Sequence, residues 1–160
     1  EKYFKTYFLD VGLISSALDL NLLDFNNTED FSMINSGKIA EQFVAQELLL
    51  FREIYEQPHL YYWLREKKSS SAEIDFIISF QGQIIPIEVK AGSSGTLKSL
   101  HYFLNEKNLN FAVRFCNQTP NIFETKAQTT SGVISFKLLS LPFYLIGQLR
   151  RILSSVSLTL

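Results

Sequence analysis

Residues 73–90 read EIDFIISFQGQIIPIEVK, two β-branched and aromatic runs on either side of Gln81-Gly82, the tightest available turn in the region. A two-residue hairpin loop there pairs Phe80 with Gln83, so that paired residue numbers sum to 163 along the ladder. By that arithmetic Asp75 lies opposite Glu88 and Glu73 opposite Lys90, and alternation puts all four side chains on one face. The other face carries Ile74, Phe76, Ile78 and Phe80 from one strand and Ile85, Ile87 and Val89 from the next, the pattern of a core surface.

Like charges directly across a ladder repel, so an Asp75–Glu88 pair needs a proton, a cationic side chain or a metal between them. A hard divalent cation such as Mg²⁺ takes carboxylate and carbonyl oxygens, and there it would activate a water and stabilise charge building on a phosphate oxygen. Lys90 adds positive charge at the same place. The same residues also fit a plain cross-strand cluster that Lys90 neutralises, and the residue types leave both readings open.

Upstream, LYYWLRE at 60–66 forms a further strand, joined to the hairpin by the polar connection KKSSS at 67–71. Before it, Ala40, Phe43, Val44, Leu48, Phe51 and Tyr55 recur at three- and four-residue spacing and predict an amphipathic helix from about Gly37 to Glu56, capped by Asn35 or Ser36. Glu41 falls on the margin of its apolar stripe. Glu47 falls near the middle, either as a second site carboxylate or as a buried acid paired with a strand residue such as Arg65. Residues 1–23 show helix-like spacing in Val11, Ile14, Leu18 and Leu22, and with the polar stretch 26–32 they read as a lead-in rather than a site.

Downstream, Ser94 or Thr96 caps a helix carrying Leu97, Leu100 and Leu104 on one face, FAVRFC at 111–116 is a strand, and 117–132 is a polar connection. VISFKLL resumes a strand pattern before the helical LPFYLIGQLRRIL. The order is helix, three strands, helix, two strands, helix. One helix separates IEVKA from FAVRFC, so these two strands are expected as parallel neighbours joined by a right-handed crossover. The fold class is α/β (α+β in some schemes), a mixed central sheet flanked by helices: a single domain over 1–160 with a lead-in at 1–35 and a core at 36–150.

Composition narrows the function classes. The 160 residues, 46% of them hydrophobic, suffice for one full core. With 15 Lys and Arg against 16 Asp and Glu, the net charge of -1 provides no global field for a polyanion, so any contact with nucleic acid has to be local. The single Cys116 excludes a disulfide framework within the chain and fits a reducing cytoplasm. The segment KYFKTYFLDVGL is no signal peptide, and the first residue, Glu1, makes the chain look like a piece of a longer protein. Pro142 breaks the apolar LLSLPFYLIG well short of the roughly 20 residues a spanning helix needs, so no membrane span is expected. No glycine-rich phosphate loop is present.

Several other residues have two readings each. Lys67, Lys68 and Lys98 are candidate phosphate contacts or solvated lysines. Tyr61, Tyr62 and Trp63 stack on bases or pack across strands. His101 is a core-margin histidine or a general base.

An acid on one strand followed on the next by Glu88-Val89-Lys90, with GKIAE on the preceding helix, resembles the PD-(D/E)XK nuclease superfamily over Gly37–Lys90. More closely, YFLDVGL, GKIAEQFVAQEL, WLRE, EIDF, PIEVKAG and LPFYLIGQL look like the uncharacterised C-terminal domain of prokaryotic AAA+ ATPases. The resemblance implies a restriction-endonuclease-like fold. It places Mg²⁺ or Mn²⁺ on Asp75, Glu88, the Val89 carbonyl and Glu41, with Lys90 assisting the attacking water, and implies DNA as substrate and an ATPase domain in the same protein. The alternative is a catalytically inactive docking or nucleic-acid-binding module that regulates the ATPase.

Overall fold

The structure, a computed structural model, describes residues 3–19, 36–51, 55–67, 70–92, 96–129 and 132–157. In sequence order the elements are α1 (Val11–Ala17), α2 (Ser36–Leu49), β1 (Tyr61–Lys67), β2 (Ser70–Phe80), β3 (Gln83–Lys90), α3 (Lys98–Lys107), β4 (Phe111–Cys116), β5 (Asn121–Thr129), β6 (Gly132–Leu141), a 3₁₀ segment (Phe143–Gln148) and α4 (Leu149–Ser157). The strands form one six-stranded mixed sheet in the order β1-β2-β3-β4-β6-β5. The class is α/β, as the alternating pattern predicts.

The hairpin turns as its residues require. Gln81 and Gly82 both take positive φ, 50° and 78°, the backbone of a two-residue turn whose twist matches the flanking strands. The β2–β3 register follows the predicted arithmetic from Phe80↔Gln83 to Phe76↔Ile87. β3 and β4 are parallel neighbours, with Ile87 opposite Val113, as the intervening helix α3 predicts. β6 continues the parallel run beside β4, and β5 folds back antiparallel along β6.

Helices cover both faces. Val44 and Leu48 of α2, with Ile146, Leu149 and Leu153 from the C-terminal segment, pack on Phe76, Ile78, Ile87, Val113, Phe115 and Leu141. On the other face Leu100, Phe103 and Leu104 of α3 pack on Ile74, Ala112, Phe136 and Leu138. Among the described residues, no helix is long and apolar enough to cross a membrane.

Three expectations are corrected. The second helix stops at Leu49 instead of running to Glu56, because Leu50 and Phe51 donate to Glu47 and Leu48 in tightened three-residue turns and Tyr55 is exposed. Of its two predicted caps, Asn35 lies outside the described residues and Ser36 is already helical. Helix α3 begins at Lys98 with Leu97 at its N-cap and no capping side-chain bond, so Thr96 does not cap it, while Ser94 lies outside the described residues. The stretch read as a polar connection holds β5, a sheet-edge strand paired on one side only. Its residues are mostly exposed, so it lacks the apolar alternation that marks half-buried strands.

Candidate functional site

The site forms where β2 departs from regular pairing. Between Tyr61↔Ile77 and Trp63↔Ile74 the register with β1 shifts, so that two steps on β1 match three on β2. This extra residue is a β-bulge, a device that re-aims side chains at sheet edges and sites. It corrects the predicted strict alternation: Phe76 joins the core under α2, while Ile74 packs on the opposite face under α3. Glu73 and Asp75 come instead to Glu41 on α2, and one carboxylate oxygen from each of the three lies within 4.8 Å of the others.

The predicted Asp75–Glu88 pairing is also modified. Ladder pairing ends at Phe76↔Ile87, and beyond it the Oδ2 of Asp75 accepts the Val89 N–H at 2.8 Å. The Asp75 carboxylate thus takes the place of a ladder carbonyl. Burial raises its pKa from the ordinary aspartate value; the Val89 N–H opposes the rise and the Glu41 charge adds to it. Glu73 does not pair with Lys90 across the hairpin; it sits opposite Leu64 of β1 and its carboxylate meets Lys5.

Glu88 is 4% exposed, between Ile87 and Val89 of the α2-side core. Its Oε1 meets Lys90 Nζ at 2.6 Å, and its buried Oε2 has no hydrogen-bond partner among the described residues. Burial, and next the Asp75 charge, push its carboxyl up to about 7, against the pull of Lys90. The residue types left a proton, a cationic side chain or a metal to offset this acid. The structure supplies the cationic side chain, Lys90 on one oxygen, and leaves the other oxygen buried.

The sequence treated the first residues as a lead-in; the structure brings them into the site. Lys5 Nζ bridges Glu41, at 2.8 Å, and Glu73, and Tyr7 donates its hydroxyl to the same Glu41 oxygen at 2.8 Å. Burial opposes charge on Lys5, but Glu41 and Glu73 outweigh it and its pKa is raised. Burial, followed by Glu41, holds the Tyr7 phenol far above its ordinary value. This segment is fixed by Gln42, a fully buried residue whose amide accepts from Phe8 N at 2.9 Å and donates to Phe8 O at 2.8 Å, as a neighbouring strand would. Gln46 accepts from Val11 N at 3.1 Å. No signal marked Gln42, which lies opposite the apolar stripe of α2 and is buried by the first segment instead. For Lys5 and Tyr7, some 35 positions from Glu41, the local pattern held none.

The other candidates fall elsewhere. Glu47 is half-buried, its Oε2 beside Gly147, whereas Arg65 stacks on Tyr102 at 4.0 Å from the ring centre. Lys98 lines a different cavity, with His101, Tyr102, Gln128 and Thr129. Lys67 ends β1 opposite Ser70, and Lys68 lies outside the described residues. Trp63 packs on Tyr102 and Phe103, and His101 sits against Phe136 with its pKa lowered by burial. Tyr62 faces the site, its ring 5.4 Å from Lys5 Nζ.

A family model described as a domain of unknown function, DUF4143, matches residues 36–140. The chain belongs to that family. The matched range of this DUF4143 domain runs from the start of α2 through β6, so it contains Glu41, Glu73, Asp75, Glu88 and Lys90 and leaves Lys5 and Tyr7 outside. A search of curated proteins gives no match.

Proposed function

We propose that this DUF4143 domain is a Mg²⁺- or Mn²⁺-dependent phosphodiesterase acting on DNA, with an ATPase domain elsewhere in the same protein. The observation that carries the reading is the convergence of Glu41, Glu73 and Asp75, with the Glu88–Lys90 pair close enough to be coupled by charge to Asp75. Two features fit a divalent cation. Ligand oxygens about 2.1 Å from Mg²⁺ stand at most about 4.2 Å apart, so a triad within 4.8 Å closes onto an ion with a shift of under roughly 1 Å. The buried Glu88 Oε2 also lacks a partner among the described residues, and an orphaned buried carboxylate oxygen is costly unless something meets it.

Glu41, Glu73 and Asp75 would hold the ion, with Glu88 turning Oε2 toward it. An ion bound there would supply a water of lowered pKa and offset charge on a phosphate oxygen. Lys90 orients the phosphate and the water by its positive charge. Without the ion, burial holds the Glu88 carboxyl at about 7, so an ion meeting Oε2 would displace the proton that Glu88 carries there.

The test is calorimetric titration of Mn²⁺ into the wild type and into Asp75→Asn with Glu88→Gln, followed by DNA cleavage by wild type and Lys90→Ala. Binding lost in the double variant and cleavage lost in Lys90→Ala are the expected results. Wild type that takes up no metal, or cleavage untouched by Lys90→Ala, would defeat the reading. A second reading, a silent module that docks on its own ATPase domain or a partner, is favoured by Lys5 already neutralising two of the three triad carboxylates.

A further inference from the structure

We infer that Lys5 is the resident cation of the acidic triad, so that a divalent ion binds by exchange with it and releases residues 3–10 as a strap from across the site. The inference rests on the metal reading above and names how that site is regulated. Lys5 is the only described cation ion-paired to Glu41 and Glu73, and it stands within the group of oxygens that would hold the ion. Two cations cannot share so small a space: an ammonium in contact with two ligands repels an incoming ion and withholds their lone pairs from it.

The surroundings show what moves. Two cavities flank the strap. One, of about 370 Å³, is lined by Lys5, Tyr7, Lys38, Glu41 and Glu73; the other, of about 350 Å³, is lined by Lys5, Tyr7, Tyr62 and Asp75. Lys5 and Tyr7 belong to both walls, so their departure joins the two cavities into one groove running past Glu41, Glu73 and Asp75. The strap is held by the Lys5 and Tyr7 side chains on Glu41 and Glu73, the Tyr7 ring against Phe76 of the core, the Lys5–Tyr62 contact, the paired Gln42–Phe8 bonds and the Gln46–Val11 bond. Its other large side chains face outward, with Phe4 81% and Leu9 85% exposed, and give little apolar burial to oppose release. Of its side chains Tyr7 alone reaches the core, so the polar contacts around Lys5 carry much of the attachment that an incoming ion would undo.

The experiment is Mn²⁺ titration by calorimetry of the full-length protein as wild type, Lys5→Met and Lys5→Arg, with hydrogen exchange at the Phe8 amide read with and without Mn²⁺. Lys5→Met should bind Mn²⁺ about tenfold tighter than wild type, the loss of a two-carboxylate ion pair as competitor, and Lys5→Arg no tighter. In wild type the Phe8 amide should exchange faster when Mn²⁺ is bound. Equal affinity in wild type and Lys5→Met, or a wild type that binds Mn²⁺ with Phe8 protection unchanged, overturns the exchange and leaves the metal site standing. Absence of Mn²⁺ binding in the wild type overturns the metal reading and the exchange together.

Discussion

Glu88→Gln should make the metal-free protein more stable above neutral pH, an unusual result for removal of an ion-paired acid. Glu88 is 4% exposed and its carboxyl stands at about 7 in the folded protein, against an ordinary 4.5. A folded-state pKa above the unfolded one means that the native state binds the proton more tightly. The stabilisation this supplies is therefore complete below pH 4.5 and is lost as pH rises through 7. A shift of that size is worth about 3 kcal/mol across the window. The Lys90 contact is already contained in the net shift, since it opposes the rise. Glutamine copies the protonated form in shape and charge, so the variant should skip the loss and exceed wild type at pH 8 by up to about 3 kcal/mol, or roughly 6–12 °C in Tm for a domain of this size. Urea unfolding in EDTA from pH 4.5 to 8 reads the difference between the two proteins, which cancels the similar trend of Asp75. Parallel stability profiles, or a variant weaker than wild type at pH 8, would refute the dominance of burial at this carboxyl.

Three further outcomes can be measured. Saturating Mn²⁺ at a hundred times its Kd should raise wild-type stability at pH 8 by about 2.7 kcal/mol; calorimetric melts with and without EDTA check this, and Asp75→Asn should abolish it. Gln42→Leu removes both bonds to the Phe8 backbone and should cost about 1–3 kcal/mol, with faster proteolysis near residues 3–10 as the readout. Gly82→Ala meets no neighbouring atom but forces a Cβ onto a φ of 78°, so it should destabilise by about 1 kcal/mol through strain alone, measured as a shift in urea midpoint at unchanged slope.

What could be read from the sequence follows from range. The hairpin was legible because its turn is two residues long and fixes its own register as far as Phe76↔Ile87. The parallel β3–β4 pair followed from one intervening helix. The bulge was not legible, since it depends on how Tyr61 to Trp63 meets Ile74 to Ile77 on another strand, and it moves Ile74 to the opposite core and brings Glu73 into the triad. β5 was missed because its outward side chains show no apolar alternation. Lys5 and Tyr7 were missed because their partners lie on α2, across a stretch of sequence with no pattern linking the two.

The Gln42 anchor has an evolutionary consequence. Its amide grips the backbone N–H and the backbone carbonyl of Phe8, groups that every residue except proline presents alike. The grip is therefore blind to the identity of the residue it holds. Position 8 is free to drift among the other amino acids while the strap keeps its alignment, with proline the one substitution that would unhook it.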